Sequence, residues 1–428
     1  MRWTSAAALD VVFHGAGTVP RSLGRLAFAQ RRVWFEFDSS WLEDPLPISP
    51  VALPPKAGLH PGPSEPFGGL HGLFHDSLPD GWGRLLLDRE VRRLGHDPGD
   101  LTALDRLAWI GDRALGALEY RPAIGLPVTP TVVDLAELAT ASHVVLADAH
   151  TDHLAELLLL GGSPHGARPK VLVGVSPDRQ RLAHAHGAVP DGFEPWIVKF
   201  HLPGDGPDAG RLEACWARLA RRAGLDVPDH HLFETPAGAF FGARRFDRSG
   251  GRRHHVQTFA ALWHVDFRVP SVDARDLLKA TSWLTRDQRE VAKVVRWHAF
   301  NVLAHNRDDH PKNIAFRLDD AGEWTLTPFY DLTWSDGPGG EHWFTVAGEG
   351  RAPTLGHLIE AAEPAGLEAA TVRRIGDEVR EGFSHFETEA ALLGVGPERI
   401  QALRASLDVL NARFFAESAP KRPARTRS

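Results

Sequence analysis

The chain has 428 residues, 43% hydrophobic and 24% charged, and a formal net charge of −7 from 48 Lys and Arg against 55 Asp and Glu. This is too long for one unit of about 100 to 200 residues, so two or three cooperating subdomains with a sizeable core are predicted. Mild acidity argues against a general binder of nucleic-acid backbones, and a single cysteine, Cys215, excludes an intrachain disulfide framework or a Cys-rich zinc site. With no signal-like segment and no apolar run near 18 residues, a cytoplasmic protein without membrane association is expected.

In chain order, LDVVFHG (9–15), LGRLAFA (23–29) and RVWFEFD (32–38) are short, β-branched and aromatic, and separated by Gly, Pro and Arg-Arg breakers, which predicts strands. Residues 44–66 are crowded with Pro and Gly and read as a long loop without regular structure. Helical spacing returns at GWGRLLLDREVRRLG, with Gly95 as the stop, and at DLTALDRLAWIG, with Asp100 as the N-cap. One further helix is expected over 133–159. The pattern then switches to strands at RPKVLVGV, EPWIVKFHL and GAFFGARRFDR, which puts the start of a core near 125–150. From 271 onward the chain reads as helical. Its longest clear helix is placed after a Thr285-x-x-Gln288 capping box, ahead of REVAKVVRWHAFNVLAHN.

That helix leads into HNRDDHPKNIAF, where Asp308 and Asn313 stand as D-x-x-x-x-N, the spacing of a kinase catalytic loop. Phosphoryl transfer needs a carboxylate to take the proton of the attacking hydroxyl and a neutral oxygen nearby to hold Mg²⁺. Asp308 suits the first role and Asn313 the second. Eighteen residues past Asn313 comes Tyr330-Asp331-Leu332, with Asp331 where a kinase carries its second metal ligand. Between them IAFRLDDAGEWTLTPF reads as a hairpin turning at Asp-Asp-Ala-Gly. A solvated turn and a transition-metal cage of His305, Asp308, Asp309 and His310 are the competing readings of this loop. Upstream, LGGSPHGARPK places Gly161, Gly162 and Gly166 before Lys170, where glycines let backbone N–H groups approach phosphate. Lys199, in the apolar strand WIVKF, matches the lysine of V-A-I-K.

Together, S-x-x-G-A-x-x-K (Ser163 to Lys170), WIVKF, RRFDR (Arg244 to Arg248), NRDDHPKNIAF and FYDL resemble the HipA family of bacterial toxin kinases, as do SLPDGWGRLLLDRE and GALEYRP nearer the start. The resemblance implies an α+β, two-lobed protein-kinase-like fold of HipA type, with a small β-rich N-terminal subdomain and a mainly helical C-terminal lobe. The expected divisions are 1–125 (N-terminal subdomain with linking helices), 126–258 (nucleotide-binding lobe), 259–418 (helical catalytic lobe) and 419–428 (disordered basic tail). It further implies a serine/threonine protein kinase using ATP and Mg²⁺ and acting on a protein substrate such as an aminoacyl-tRNA synthetase. A helix-turn-helix antitoxin is the implied partner, with DNA reached only through it.

Carried over by motif, Asp308 is the base, Asn313 and Asp331 hold the metal, Lys199 pairs the ATP phosphates, and Arg244, Arg245 and Phe246 form the hinge beside adenine. Ser163, Gly166, Ala167, Lys170 and His310 complete the nucleotide-binding set, with Ser163 as the autophosphorylated serine. A phosphoserine there adds about −1.5 to −2 charge and repels the ATP phosphates. Pro164 restricts the backbone of Ser163 toward extended conformations. Two other classes fit the same motif: a small-molecule kinase of the aminoglycoside-phosphotransferase type, and a catalytically inactive kinase-fold binding module.

Overall fold

The computed structural model describes residues 5–15, 17, 19–30, 32–124, 133–161, 166–185 and 189–416. Ser163 and the basic tail therefore lie outside the described residues. The chain divides into two compact units, one of Met1–Ala214, Val227–Arg268 and Pro311–Tyr330, the other of Cys215–Asp226, Val269–His310 and Asp331–Ser428.

The first unit contains two five-stranded sheets. In one, Leu59–Pro61, Arg32–Phe37, Arg21–Ala29, Ala8–Phe13 and Leu118–Arg121 lie side by side in that order. Alternation decides its faces: Leu9, Val11 and Phe13 are buried, as are Val33, Phe35 and Phe37. The inward rings pack edge-on, Phe13 against Trp41 at 5.2 Å and Phe35 against Phe37 at 4.8 Å. The region 44–66 is thus not wholly irregular, because Leu59–Pro61 pairs with Glu36 to Trp34. Its proline is tolerated because this strand is the sheet edge, where a missing N–H leaves no ladder bond unmade.

The second sheet runs Leu182–His184, Lys170–Val175, Glu194–Lys199, Gly238–Arg244 and His230–Thr235. One face carries Val171, Val173, Trp196 and Val198 into a core shared with Trp82, Leu86, Leu138 and Leu157 of the neighbouring helices. The helix Gly81–Arg93 ends as expected, with Gly95 at φ 83°. Asp100, however, is not the next N-cap. It sits in a short turn, and Thr102 caps Ala103–Ile110 in a box with Asp105, because Leu101 and Thr102 are both extended.

The single helix expected over 133–159 is two, Leu135–Leu146 and Leu154–Gly161. Asp148 at φ 59° and the backbone bond from Ala149 N to Val144 O end the first. A three-stranded sheet of His255–Thr258, Ala315–Leu318 and Trp324–Leu326 contains the predicted hairpin.

The second unit is mainly helical, with Ala274–Thr285, Gln288–Leu303, Leu355–Ala362, Ala369–Ser384, Phe386–Leu392 and Pro397–Phe414. Thr285 does not open the helix before the motif. It closes the preceding one, its hydroxyl bonded to Thr281 O, and Arg286 turns left-handed so that Asp287 caps Arg289 N. Pro397–Phe414, at 18 residues, is also longer than Gln288–Leu303, at 16. Trp216 donates its indole N–H to Ala304 O at the end of that helix, and Glu389 takes Arg218 and Arg222. Cys215 is free and buried, its thiol pushed up to about 12 by burial. Among the described residues no helix is long and apolar enough to cross a membrane.

Candidate functional site

In the first unit the strand register brings two cations together. Lys170 and Lys199 are directly opposite on neighbouring antiparallel strands, and since Val171 and Val198 face the core, alternation puts both lysines on the other face. Lys199 Nζ pairs with Glu213 Oε1, on the helix Ala209–Arg222. Lys170 is 3% exposed, and its ammonium lies under Gly166, where a Cβ would approach Nζ to 2.6 Å. Gly166 also has φ 105°, a conformation that strains any residue with a side chain, although the Lys170 ammonium itself ends a flexible chain that could shift. Ala167 abuts Gly81.

Arg244 ends its strand and pairs with exposed Glu194. Arg245 and Arg248 both hold buried Asp247. Burial alone would raise that carboxyl, yet the two guanidiniums outweigh it and hold it well below the usual carboxylate range. The Phe246 ring lies 5.6 Å from that of Tyr330, tilted by 31°. Asn313, buried, belongs to this unit as well. Its segment is pinned by Ala260 N on Pro311 O, Phe259 N on Ile314 O and the Tyr330 hydroxyl on Lys312 O.

In the second unit, loops rather than a sheet assemble the acidic groups. Arg307 N donates to Ser335 O and Ser335 N to His305 O, while Asn306 Nδ2 donates to Asn301 Oδ1 and to Asp331 O. Asp331 adopts φ 54°, an uncommon left-handed conformation for a non-glycine residue and one that collects at functional sites. Burial raises the carboxyl of Asp308, and the negative charges of Asp331 and Asp309 push the same way. His310 opposes them, as does Trp343, whose buried indole N–H meets no acceptor at ordinary hydrogen-bond geometry.

Asp309, 2% exposed, accepts from His342 Nδ1 at 3.0 Å and Trp343 N at 2.8 Å. His310 meets the Trp343 ring edge-on at 6.1 Å. Among the described residues no group of three or more His, Cys, Asp or Glu is arranged to hold a metal. Taken separately, the Asn313 amide in the first unit and the Asp331 carboxylate in the second are hard oxygen donors of the kind Mg²⁺ takes.

Family models match both parts of the chain: the HipA N-terminal domain over residues 10–121 and the HipA-like C-terminal domain over 162–385. The chain belongs to the HipA family. Its fold is that of HipA: the structure of Shewanella oneidensis MR-1 HipA, solved in a toxin–antitoxin complex with HipB and operator DNA, superposes with a TM-score of 0.67 over 95% of this chain and 96% of that one, at 17% identity. The candidate kinase Y4mE of Sinorhizobium fredii (strain NBRC 101917 / NGR234) is 29% identical over 332 residues, 70% of this chain and 71% of that one.

Within this HipA fold, sequence reasoning missed Glu213, His342 and the anchoring role of Asp309, which it weighed only as a ligand of a metal cage. Glu213 had a usable signal, an acidic residue on the amphipathic helix that follows the lysine strand, the arrangement of the lysine–glutamate pair of kinases. Asp309 had none, since its partners lie 33 and 34 residues away.

Proposed function

We propose that this chain is an ATP- and Mg²⁺-dependent serine/threonine protein kinase acting as a HipA-type toxin. The observation that carries the reading is the Lys170–Lys199 pair, two cations set directly opposite each other on one face of the sheet, with Glu213 holding the second. Two cations beside a glycine whose left-handed backbone disfavours any side chain suit a polyanion such as a triphosphate. Bound there, ATP with Mg²⁺ supplies the transferable phosphoryl group and the charge that neutralises it.

The residues then divide the work. Glu213 orients the Lys199 ammonium toward phosphate. Lys170 and the backbone at Gly166 hold the phosphate oxygens. Asn313 and Asp331 hold the metal, and Asp308 orients the substrate hydroxyl and takes its proton as the O–P bond forms. Phe246 offers an apolar surface to the base. Arg245, engaged with Asp247, contributes to this hinge by rigidity and through its backbone.

The HipA–HipB–DNA complex supports an antitoxin partner that brings DNA into the complex, and the candidate kinase Y4mE supports kinase chemistry; a helix-turn-helix form of that antitoxin and a protein target of the aminoacyl-tRNA synthetase class are part of the proposal. Autophosphorylation at Ser163 belongs to the same reading.

Incubating the purified chain and its Asp308→Ala variant with γ-labelled ATP and bacterial lysate tests it. Label on a protein band in the first and none in the second is the expected result. Label confined to small metabolites establishes the aminoglycoside-phosphotransferase type instead, and absence of Mg²⁺-dependent nucleotide binding establishes a non-catalytic module.

A further inference from the structure

The turn Asp80-Gly81-Trp82 touches two segments of the first unit that carry residues of the proposed nucleotide site. Asp80 caps the helix Gly81–Arg93 through Oδ1, which accepts from Gly81 N at 2.8 Å. Its Oδ2 accepts from Lys312 Nζ at 3.0 Å. Lys312 is 1% exposed and immediately precedes Asn313. Its ammonium lies 4.0 Å from the centre of the Phe267 ring. Its charge also bears on Asp76, a buried carboxyl that burial pushes up to about 6 and that accepts from Thr258 N and Oγ1. The carbonyl of Lys312 takes the hydroxyl of Tyr330 at 2.7 Å, the residue just before Asp331.

On its other side the turn meets the exit of the Gly-rich loop. Trp82 N donates to Gly166 O at 3.2 Å, and the buried Trp82 indole N–H donates to Lys170 O at 3.1 Å. Gly81, at φ 36°, has no room for a Cβ, which would stand 2.6 Å from Ala167 Cα. Three consecutive residues therefore hold the segment that presents Asn313 and the segment that presents Gly166 and Lys170.

We infer that this turn is a positioning device for phosphoryl transfer: Asp80 acts through Lys312 on the placement of Asn313, and Trp82 acts on the phosphate-gripping loop. The inference rests on the kinase reading and deepens it. A carboxylate–ammonium pair that merely neutralised a buried charge could be replaced by two neutral side chains of similar shape with little loss. A pair that sets the geometry of a catalytic segment cannot, because displacements near 1 Å cost about 10²-fold in rate.

The full-length chain and its Asp80→Asn, Lys312→Met, Asp80→Asn/Lys312→Met and Trp82→Phe variants are compared in ATP turnover, thermal midpoint and amide hydrogen exchange. The single charge variants lose both stability and turnover. The double variant regains the wild-type midpoint to within about 4 °C but keeps a kcat lowered about 10-fold, with KM for ATP within about twofold, and exchanges faster at 311–315. Trp82→Phe raises KM for ATP about 10-fold with kcat within about twofold, and exchanges faster at 166–171. A double variant with wild-type kcat and wild-type protection at 311–315 overturns the inference. If the wild-type chain shows no Asp308-dependent turnover, it is the kinase reading that fails. The exchange data then decide the coupling alone: faster exchange at both segments supports it, and unchanged exchange overturns it.

Discussion

The lysine-bearing sheet of the first unit and the aspartate-bearing loops of the second place charge by opposite means. In the sheet, register does the work. Once Val171 and Val198 are committed to the core, Lys170 and Lys199 share the other face, and a one-residue slip would move every side chain to the wrong side. In the loops nothing repeats. The segment of Asp308 is held through its neighbours, Arg307 by Ser335 and Asp309 by His342 and Trp343, while Asp331 accepts a bond from Asn306 and keeps a left-handed backbone. Regular structure tolerates loss of one contact, whereas a loop held by single bonds does not. Mutations should therefore act differently in the two places.

The largest effect is expected in the loops. Asp308→Ala and Asp331→Ala each reduce kcat by about 10³-fold or more, measured by single-turnover transfer of labelled phosphate, with circular dichroism unchanged. Wild-type rates in either variant would remove the catalytic assignment.

Next is a stability effect at the end of the sheet. Asp247→Ala leaves two buried guanidiniums uncompensated and costs about 3–5 kcal/mol, read by urea unfolding. The carboxyl is depressed in the folded chain, so its contribution is complete above an ordinary carboxyl value of about 3.9 and is lost as pH falls through the lower folded value. Asp247→Asn should flatten that acid dependence, and an unaltered slope would count against the ion pair.

Glu213→Gln sharpens the comparison from the sheet side. Lys199 keeps its place in the register but loses its partner, so kcat/KM for ATP falls about 10- to 100-fold, less than for the loop aspartates. A loss equal to that of Asp308→Ala would show the sheet to be as brittle as the loops.

The smallest effect concerns the pH limb and its stability counterpart. Asp308 must be ionised to act as a base, and burial raises it, so the acid limb of kcat/KM should lie above an ordinary aspartate value of about 3.9. For stability the sign reverses. A raised folded value means the favourable contribution is present below the unfolded value and is lost as pH rises through the folded one, so ionised Asp308 opposes folding at neutral pH. Asp308→Asn should then be more stable than wild type by about 1 kcal/mol at pH 7.5, and lower stability would contradict the burial cause.

Much of this was legible in the chain itself. Short β-branched and aromatic runs between breakers gave three strands of each five-stranded sheet, Gly95 gave a helix end, and D-x-x-x-x-N with a downstream Asp gave the candidate base and metal ligands, because these signals are local and depend on spacing within a few residues. Local signals also misled where two residues competed for one job. Thr102 displaced Asp100 and Asp287 displaced Thr285 as caps, since the backbone conformation of the flanking residues decides which side chain meets the free N–H groups.

What only the tertiary structure decided are the partners of charge: Glu213 for Lys199, His342 and Trp343 for Asp309, Asp80 for Lys312, the last 232 residues apart. A sequence states which groups carry charge and roughly where the backbone turns. Which opposite charge meets each one depends on packing that brings distant segments together, and because a buried charge without a partner is too costly to persist, the fold had to settle these pairings as it formed.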